Sequence, residues 1–90
     1  MKTYLVTYTL SSFNDNYARI SERLKGYSKW ARLSPHTWLI QTEDSVSEVR
    51  SELKLAINEN GTILVIDVSA SAWATFAVSK NVTNWMKENL

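Results

Sequence analysis

The stretch SVSEVRSELKLAINENGTILVIDV, residues 45–68, decides the fold because it predicts a helix followed at once by a strand. Its first part has apolar residues three or four positions apart, a spacing typical of one helix face. These residues are Val46, Val49, Leu53 and Ile57. The pair Ser45 and Glu48 has the spacing of a capping box, which satisfies backbone N–H groups at a helix start. We therefore predict a helix over residues 45–59.

The strand that follows, Ile63–Val68, is nearly unbroken in its apolar character, and Asn60-Gly61 separates it from the helix. A sheet covered on only one face would show alternating apolar and polar residues. Because the alternation is absent here, we expect the second face of the sheet to be covered as well. Either the C-terminal helix or a second copy of the chain could cover it. Since two-fold dimers are the commonest closed assembly, we expect a homodimer.

The first third of the chain predicts a strand and then a helix. Thr3–Leu10 alternates between two sets of β-branched and aromatic residues, which indicates a strand. A polar stretch follows, in which Asn14 or Asn16 can cap the next helix. Apolar residues at helical spacing then continue the pattern, namely Tyr17, Ile20 and Leu24. Gly26 stands where a left-handed residue commonly ends a helix.

Two further strands and a short helix complete the chain. Tyr27–Ser34 and His36–Thr42 are predicted strands, separated by a turn at Pro35 that is short enough for a hairpin. Ser79 can cap a last helix whose apolar stripe includes Trp85. The order β-α-β-β-α-β predicts an α+β, ferredoxin-like sandwich with a four-stranded antiparallel sheet and a short C-terminal helix. The expected organisation is a single domain over residues 1–90.

Composition limits the possible functions. The chain has 90 residues and a net charge of +1, with 10 Lys and Arg against 9 Asp and Glu. It has no Cys and one His, which excludes a disulfide scaffold, a thiolate nucleophile and a Cys-based or His-rich metal site. No apolar run approaches the roughly 20 residues that span a bilayer, and no signal peptide is apparent. We expect a cytoplasmic protein that does not bind membranes.

The acidic residues and the histidine do not form a pattern typical of catalysis. Asp67 lies inside a predicted strand, where an edge position would let its carboxylate reach solvent. Asp15 is interpreted as a residue of the first helical turn, and His36 as a turn residue. No two carboxylates have local spacing suited to a magnesium site or to acid–base work. We therefore predict no catalytic residue and no resident metal.

Basic residues concentrate between positions 19 and 32 and alternate with aromatic ones. The predicted basic ridge, which could bind nucleic acid or a protein partner, consists of Arg19, Arg23, Lys29, Trp30 and Arg32. The alternatives are an ordinary solvated helix face or a basic surface that meets the acidic second helix of another chain. Of the other tryptophans, Trp38 and Trp85 are expected in the core. The predicted dimer interface consists of Ile63, Val65 and Trp73.

Three segments resemble a group of small bacterial proteins. Tyr4–Tyr8 opens the chain, Thr37–Ile40 lies in the third strand and Leu64–Val68 in the last. Together they resemble the SinR-like proteins, which are similar to CRISPR-associated protein 2 and to the VapD ribonucleases. The resemblance implies a ferredoxin-like homodimer. In the CRISPR-associated members an Asp closes the first strand and is proposed to hold a metal, whereas this chain has Thr9 there.

That difference separates the hypotheses for function. A threonine hydroxyl lacks the charge that Mg²⁺ requires of its ligands, so the favoured hypothesis is a non-catalytic dimeric module. Its basic residues would bind nucleic acid or a protein partner without cleavage. The alternative is a weak Mg²⁺-dependent nuclease of the same family, acting on RNA or DNA. An RNA-recognition-like sheet ranks lower because residues 36–41 lack the Lys/Arg-Gly-aromatic pattern. A small-molecule regulatory domain of the same topology also remains open.

Overall fold

The computed structural model describes residues 1–10, 17–57 and 61–90. The described elements follow one another in the predicted order, strand–helix–strand–strand–helix–strand, with a C-terminal helix added. They are β1 (Lys2–Thr9), α1 (Tyr17–Lys25), β2 (Lys29–Ser34), β3 (Thr37–Thr42), α2 (Val46–Lys54), β4 (Thr62–Asp67) and α3 (Lys80–Asn89).

The four strands form one antiparallel sheet in the order β2-β3-β1-β4. The predicted hairpin is β2–β3, and β1 lies between β3 and β4. This order and the α+β content agree with the predicted ferredoxin-like sandwich. Two strands, β2 and β4, lie at the edges of the sheet, each with one strand neighbour among the described residues.

The first face of the sheet packs against α1 and α2. Alternate residues of β1, namely Tyr4, Val6 and Tyr8, are almost fully buried here and cluster with Trp38. The two helices contribute their apolar stripes to the same core: Ile20, Leu24, Val49 and Leu53, each 0% exposed. The residues that the period-two pattern of β1 and the helical spacing of α2 place on one face therefore pack together in one core, as the sequence predicts.

The second face is covered over its β2–β3 half by α3. The Asn89 carbonyl oxygen accepts hydrogen bonds from Thr3 Oγ1 at 3.0 Å and from Gln41 Nε2 at 3.1 Å, so the end of α3 is tied to its own sheet. Leu39 is 2% exposed although it faces away from α1 and α2. Of the two covers that the sequence left open, the C-terminal helix of the same chain thus accounts for this half.

Two helix ends differ from the sequence-based expectation. Gly26 was expected to be left-handed, but no described glycine has a positive φ. Its N–H donates to the Arg23 carbonyl oxygen at 3.1 Å, and the N–H of Tyr27 donates to the Leu24 carbonyl oxygen at 3.2 Å. Right-handed turns of this kind satisfy the last carbonyl groups of α1, so a left-handed residue is not needed there.

The second helix begins as predicted but ends early. Ser45 Oγ accepts from the N–H of Glu48 at 3.1 Å and Glu48 Oε1 accepts from the N–H of Ser45 at 3.0 Å, so the capping box is confirmed. The α-helix ends at Lys54 rather than at residue 59. The next N–H groups bond to carbonyls three residues back, as that of Ala56 does to Leu53 at 2.9 Å, which tightens the chain into turns.

The remaining strand boundaries lie within two residues of the predicted ones, and some predicted helix caps lie outside the described residues. Ser79 caps α3, since its hydroxyl accepts from the N–H of Val82 at 3.3 Å. The predicted caps Asn14 and Asn16, together with Asp15, lie outside the described residues. Within residues 1–10, 17–57 and 61–90, no helix has the length and apolar character needed to cross a bilayer.

Candidate nucleic-acid interface

The outer strand β2 directs two of the predicted site residues to the first face of the sheet. Trp30 pairs with Ile40 and Arg32 pairs with Trp38, and both partners belong to the buried core. Trp30 nevertheless remains 39% exposed, and Arg32 is exposed as well, because β2 is the edge strand. Side chains that begin on the core face therefore reach solvent at this edge.

Two aromatic rings and two cations form a row along the β2 edge. The ring centroids of Trp30 and Trp38 are 5.3 Å apart, and the ring planes are inclined by 50°. The guanidinium of Arg32 lies 5.0 Å from the Trp38 ring, and Lys25 Nζ lies 5.8 Å from the Trp30 ring. Each cation is within the range at which a ring quadrupole attracts it. We call Lys25, Trp30 and Arg32 the β2-edge cluster.

Arg32 is held in place by a second contact. Its Nη2 donates to the Pro35 carbonyl oxygen at 3.1 Å, across the turn that joins β2 to β3. The side chain is thus fixed by the ring beneath it and by the backbone of the turn. Because a carbonyl oxygen leaves the positive charge uncompensated, Arg32 can still attract an anion.

The two arginines of α1 point elsewhere. Arg23 Nη1 lies 2.6 Å from Glu52 Oε2, an ion pair that joins α1 to α2. Arg19 Nη2 donates to the Leu55 carbonyl oxygen at 3.4 Å. Both side chains therefore bridge the two helices instead of extending the β2-edge cluster, and the charge of Arg23 has a carboxylate partner.

Lys29 lies on the opposite side of the sheet from Trp30. It pairs with Gln41 on the second face, and its Nζ donates to Asn89 Oδ1 of α3 at 3.4 Å. The residues of the predicted ridge are therefore divided among three places: the α1–α2 contact, the second face and the β2 edge. Lys25, which was not among the predicted site residues, joins Trp30 and Arg32 instead.

Of the residues predicted at a dimer interface, Ile63 and Val65 lie together on the first face, and Trp73 lies outside the sheet. Ile63 and Val65 pair with Tyr8 and Val6 and pack against the first-face core. The apolar side chains of β4 that face the other way are Leu64 and Ile66, which are 54% and 49% exposed. An interface on the second face would use these two residues in place of Ile63 and Val65.

Trp73 lies outside the helices and strands, between β4 and α3, and is 38% exposed. Phe76, which the sequence interpretation did not single out, is 94% exposed. The sequence does mark this segment as unusual, because residues 68–79 contain two aromatic residues and no charged one.

Asp67 and His36, which the sequence singles out, each have a structural partner. Asp67 Oδ1 accepts from the N–H of Ser69 at 2.9 Å, and its Oδ2 lies 3.7 Å from Lys2 Nζ. The bond from Ser69 holds the pKa of the Asp67 carboxyl below its ordinary value, with a smaller contribution from Lys2. His36 is exposed in the turn, and its ring is stacked on that of Tyr17 with centroids 4.8 Å apart.

The metal-ligating side chains of the described residues are not gathered into a cluster. Mg²⁺ usually keeps several of its waters and is bound by one or two carboxylates together with substrate phosphates. Among the described residues, no group of three or more His, Cys, Asp or Glu side chains is close enough together to hold a metal ion. At the end of β1, where the resemblance implies an acid, Thr9 is exposed.

Comparisons with known proteins give no relative: no family model matches the chain, and neither the curated proteins nor the solved structures contain a match.

Proposed function

We propose that this chain is a non-catalytic module that binds nucleic acid through the β2-edge cluster. The observation that carries the proposal is the row of Lys25, Trp30, Trp38 and Arg32 at an open sheet edge. It combines two positive charges with an indole ring that is partly open to solvent. Phosphate groups and an aromatic base are the ligand groups that such a combination attracts.

The distribution of charge limits how such binding would occur. The net charge is +1, so the field of the whole molecule attracts a polyanion only weakly. Affinity would come from local contacts of Lys25 and Arg32 with phosphate oxygens. Arg23 would contribute little, since its guanidinium already pairs with Glu52. The proposed binding site is therefore limited to the β2-edge cluster and does not include the whole predicted basic ridge.

A Mg²⁺-dependent nuclease is the alternative that the family resemblance implies. Thr9 occupies the end of β1, where the resemblance implies an Asp. Asp67, an acid on another strand, already accepts a hydrogen bond from Ser69 and forms an ion pair with Lys2. These contacts favour the non-catalytic function. We expect a labelled strand incubated with the protein and Mg²⁺ to stay intact.

Fluorescence anisotropy of a labelled oligothymidylate and of a labelled duplex tests the proposal. We expect binding at low salt that weakens as salt rises, because phosphate contacts release counterions. Arg32→Gln should weaken binding and lower the slope of log affinity against log salt by about 1. Arg23→Gln is the matched control and should leave that slope unchanged.

Substitutions at Trp30 separate stacking from simple hydrophobic contact. Trp30→Leu should lose about 1–3 kcal/mol of binding free energy if a base stacks on the indole, whereas Trp30→Phe should retain most of it. The proposal fails if neither nucleic acid binds at low salt, or if Arg23→Gln weakens binding as much as Arg32→Gln does. In that case a protein partner, sought by pull-down, becomes the working hypothesis.

A further inference from the structure

The strand β4 has unpaired backbone groups along its outer side. It pairs with β1, and no described strand lies on its other side. The N–H of Val68 donates to the Thr3 carbonyl oxygen at 2.9 Å, in continuation of the register between β1 and β4. Because hydrogen-bonded positions alternate along an antiparallel pair, every second residue before Val68 also bonds to β1. The N–H and C=O groups of Ile63, Val65 and Asp67 therefore point outward, and they bond to no other described backbone group.

The two edges of the sheet differ in how well they can accept another strand. The β2 edge carries the exposed cations Lys29 and Arg32, and its register shifts between Arg32 and Ser34. Charged side chains, prolines and bulges are the features by which edge strands avoid pairing with other chains. In contrast, β4 has no Lys, Arg or Pro, and its register with β1 is unbroken from Thr62 to Asp67. The β4 edge thus keeps the regular geometry to which a further strand can add.

A groove lies beside this edge on the first face of the sheet, between β4 and α2. Its volume is about 220 Å³, and its lining is formed by Val46, Ser47, Arg50, Ile63, Leu64 and Val65. Val46 is 37% exposed, and Ile63 and Val65 are half-buried. Alternate side chains of an extended chain point to the same face, so a strand added to β4 would direct every second side chain towards the groove. The apolar lining favours aliphatic side chains at those positions.

The groove also carries a positive charge without an acidic partner. Arg50 is exposed on α2, its Nη2 donates to Ser51 Oγ at 3.5 Å, and it forms no ion pair with a described carboxylate. A carboxylate on the added strand would compensate this charge. A second copy of the chain would not supply one along its own β4, because Asp67 there already bonds to Ser69 and pairs with Lys2. Charge complementarity therefore favours a different, acidic partner.

We propose that the β4 edge binds an extended peptide segment of another protein, which adds to the sheet as a new strand. Its backbone would bond to the outward groups of Ile63 and Val65, its alternate aliphatic side chains would lie in the groove, and an acidic side chain would pair with Arg50. In recognition of this kind, main-chain hydrogen bonds give the affinity and the groove gives the specificity. The proposal is independent of nucleic-acid binding at the β2 edge, on the opposite side of the sheet.

A displayed library of short random peptides, selected on the immobilised full chain, tests the proposal. We expect enrichment of segments that have aliphatic residues at alternate positions and one Asp or Glu. The consensus peptide, synthesised with a fluorescent label, is then titrated with the protein and followed by anisotropy. Methylation of alternate peptide nitrogens should abolish binding in one of the two possible registers and spare it in the other, because only one set of N–H groups faces β4.

Charge reversal at Arg50 tests the predicted ion pair. Arg50→Glu should weaken binding of the acidic consensus peptide by about tenfold or more, since like charges then face each other. A consensus peptide with Lys in place of its acidic residue should bind Arg50→Glu more tightly than it binds the wild type. Lys54→Glu is the matched control, because it makes the same charge change at an exposed position of α2 outside the groove. It should leave the affinity unchanged.

A proline at the edge tests strand addition. Val65→Pro removes an outward N–H without breaking a bond to β1, and it should weaken binding by about tenfold, as expected for loss of a backbone hydrogen bond. Val65→Thr keeps the N–H and a similar shape, and it should bind like the wild type. Circular dichroism shows whether each variant is folded, and Arg50→Glu together with the methylated peptides decides the matter if Val65→Pro is not.

Three results would overturn the proposal. The first is a selection that yields no peptide of the expected pattern. The second is a selected peptide that binds folded Arg50→Glu and Val65→Pro as tightly as it binds the wild type, or that tolerates methylation in both registers. The third is a wild-type dimer, seen by sedimentation velocity, that Val65→Pro dissociates, because the β4 edge would then bind a second copy of the chain.

Discussion

The indole N–H of Trp38 donates to the phenol oxygen of Tyr8 across 3.1 Å, between two residues of the core that are almost fully buried. Tyr8 in turn donates its hydroxyl proton to the Pro35 carbonyl oxygen at 3.1 Å. One phenol therefore satisfies the buried indole and fixes the β2–β3 turn. The same Trp38 ring supports Arg32 and contacts Trp30 at the β2 edge.

Replacing that phenol should destabilise the protein. Tyr8→Phe leaves the Trp38 N–H buried without a partner, and we expect a loss of about 1–3 kcal/mol in the free energy of unfolding. Urea denaturation followed by tryptophan fluorescence measures it. In a cycle with Trp38→Phe, the double variant should lose less than the sum of the two single ones. Strict additivity would mean that the bond contributes nothing.

The sequence alone predicts the parts of the fold in which apolar residues recur with a clear period. The alternation in β1 predicts which side chains face the helices, and the Ser45 and Glu48 pair predicts the start of α2. The run over residues 63–66 has no period, because every residue in it is apolar. Pairing with β1 decides that Ile63 faces the core and Leu64 faces away, and this register cannot be obtained from a run of similar residues.

The candidate site was harder to predict for a related reason. Residues 19–32 were grouped by their closeness in sequence, although they span a helix and a strand. Neighbouring residues on a strand point to opposite faces, so the side chains of Lys29 and Trp30 lie on opposite faces of the sheet. The strand period would have shown that division. The ion pair between Arg23 and Glu52 depends on how α1 packs beside α2, which the local sequence does not specify.

The capping box of α2 should be a measurable source of stability. Ser45→Ala removes the acceptor for the Glu48 N–H, and loss of such a cap typically costs about 0.5–2 kcal/mol. Ser47→Ala is the control, since Ser47 is exposed on the same helix and has no capping role. Chemical denaturation compares the two. Equal effects on stability would show that the cap is unimportant.

Alkaline pH should weaken the fold through Tyr27. Burial, with a smaller contribution from the Asp44 and Glu52 carboxylates, raises the pKa of the Tyr27 phenol from 10.0 to about 12. The folded state thus favours the neutral phenol. Its contribution to stability is complete below the unfolded value of 10.0 and is lost as pH rises through about 12.

Denaturation of wild type and of Tyr27→Phe over this pH interval measures the Tyr27 contribution. The variant should lose less stability, because its ring has no proton to release. Phenolate absorbance should show one fewer high-pH titration in Tyr27→Phe than in the wild type. An alkaline stability curve that is identical in both proteins would contradict the assignment to Tyr27.

Two leucines on the second face provide the final test, because one is covered by the chain itself and the other is not. Leu39 is 2% exposed and Leu64 is 54% exposed. Leu39→Ala should cost about 2–5 kcal/mol at any protein concentration, since it leaves a cavity in a filled site. Leu64→Ala should cost under about 0.5 kcal/mol in dilute solution, where surface substitutions have small effects. At high concentration it should cost more, because a partner that binds only the folded chain adds to its stability. Thermal melts at two concentrations make the comparison, and a Leu64→Ala effect that does not change with concentration would show that Leu64 contacts no partner.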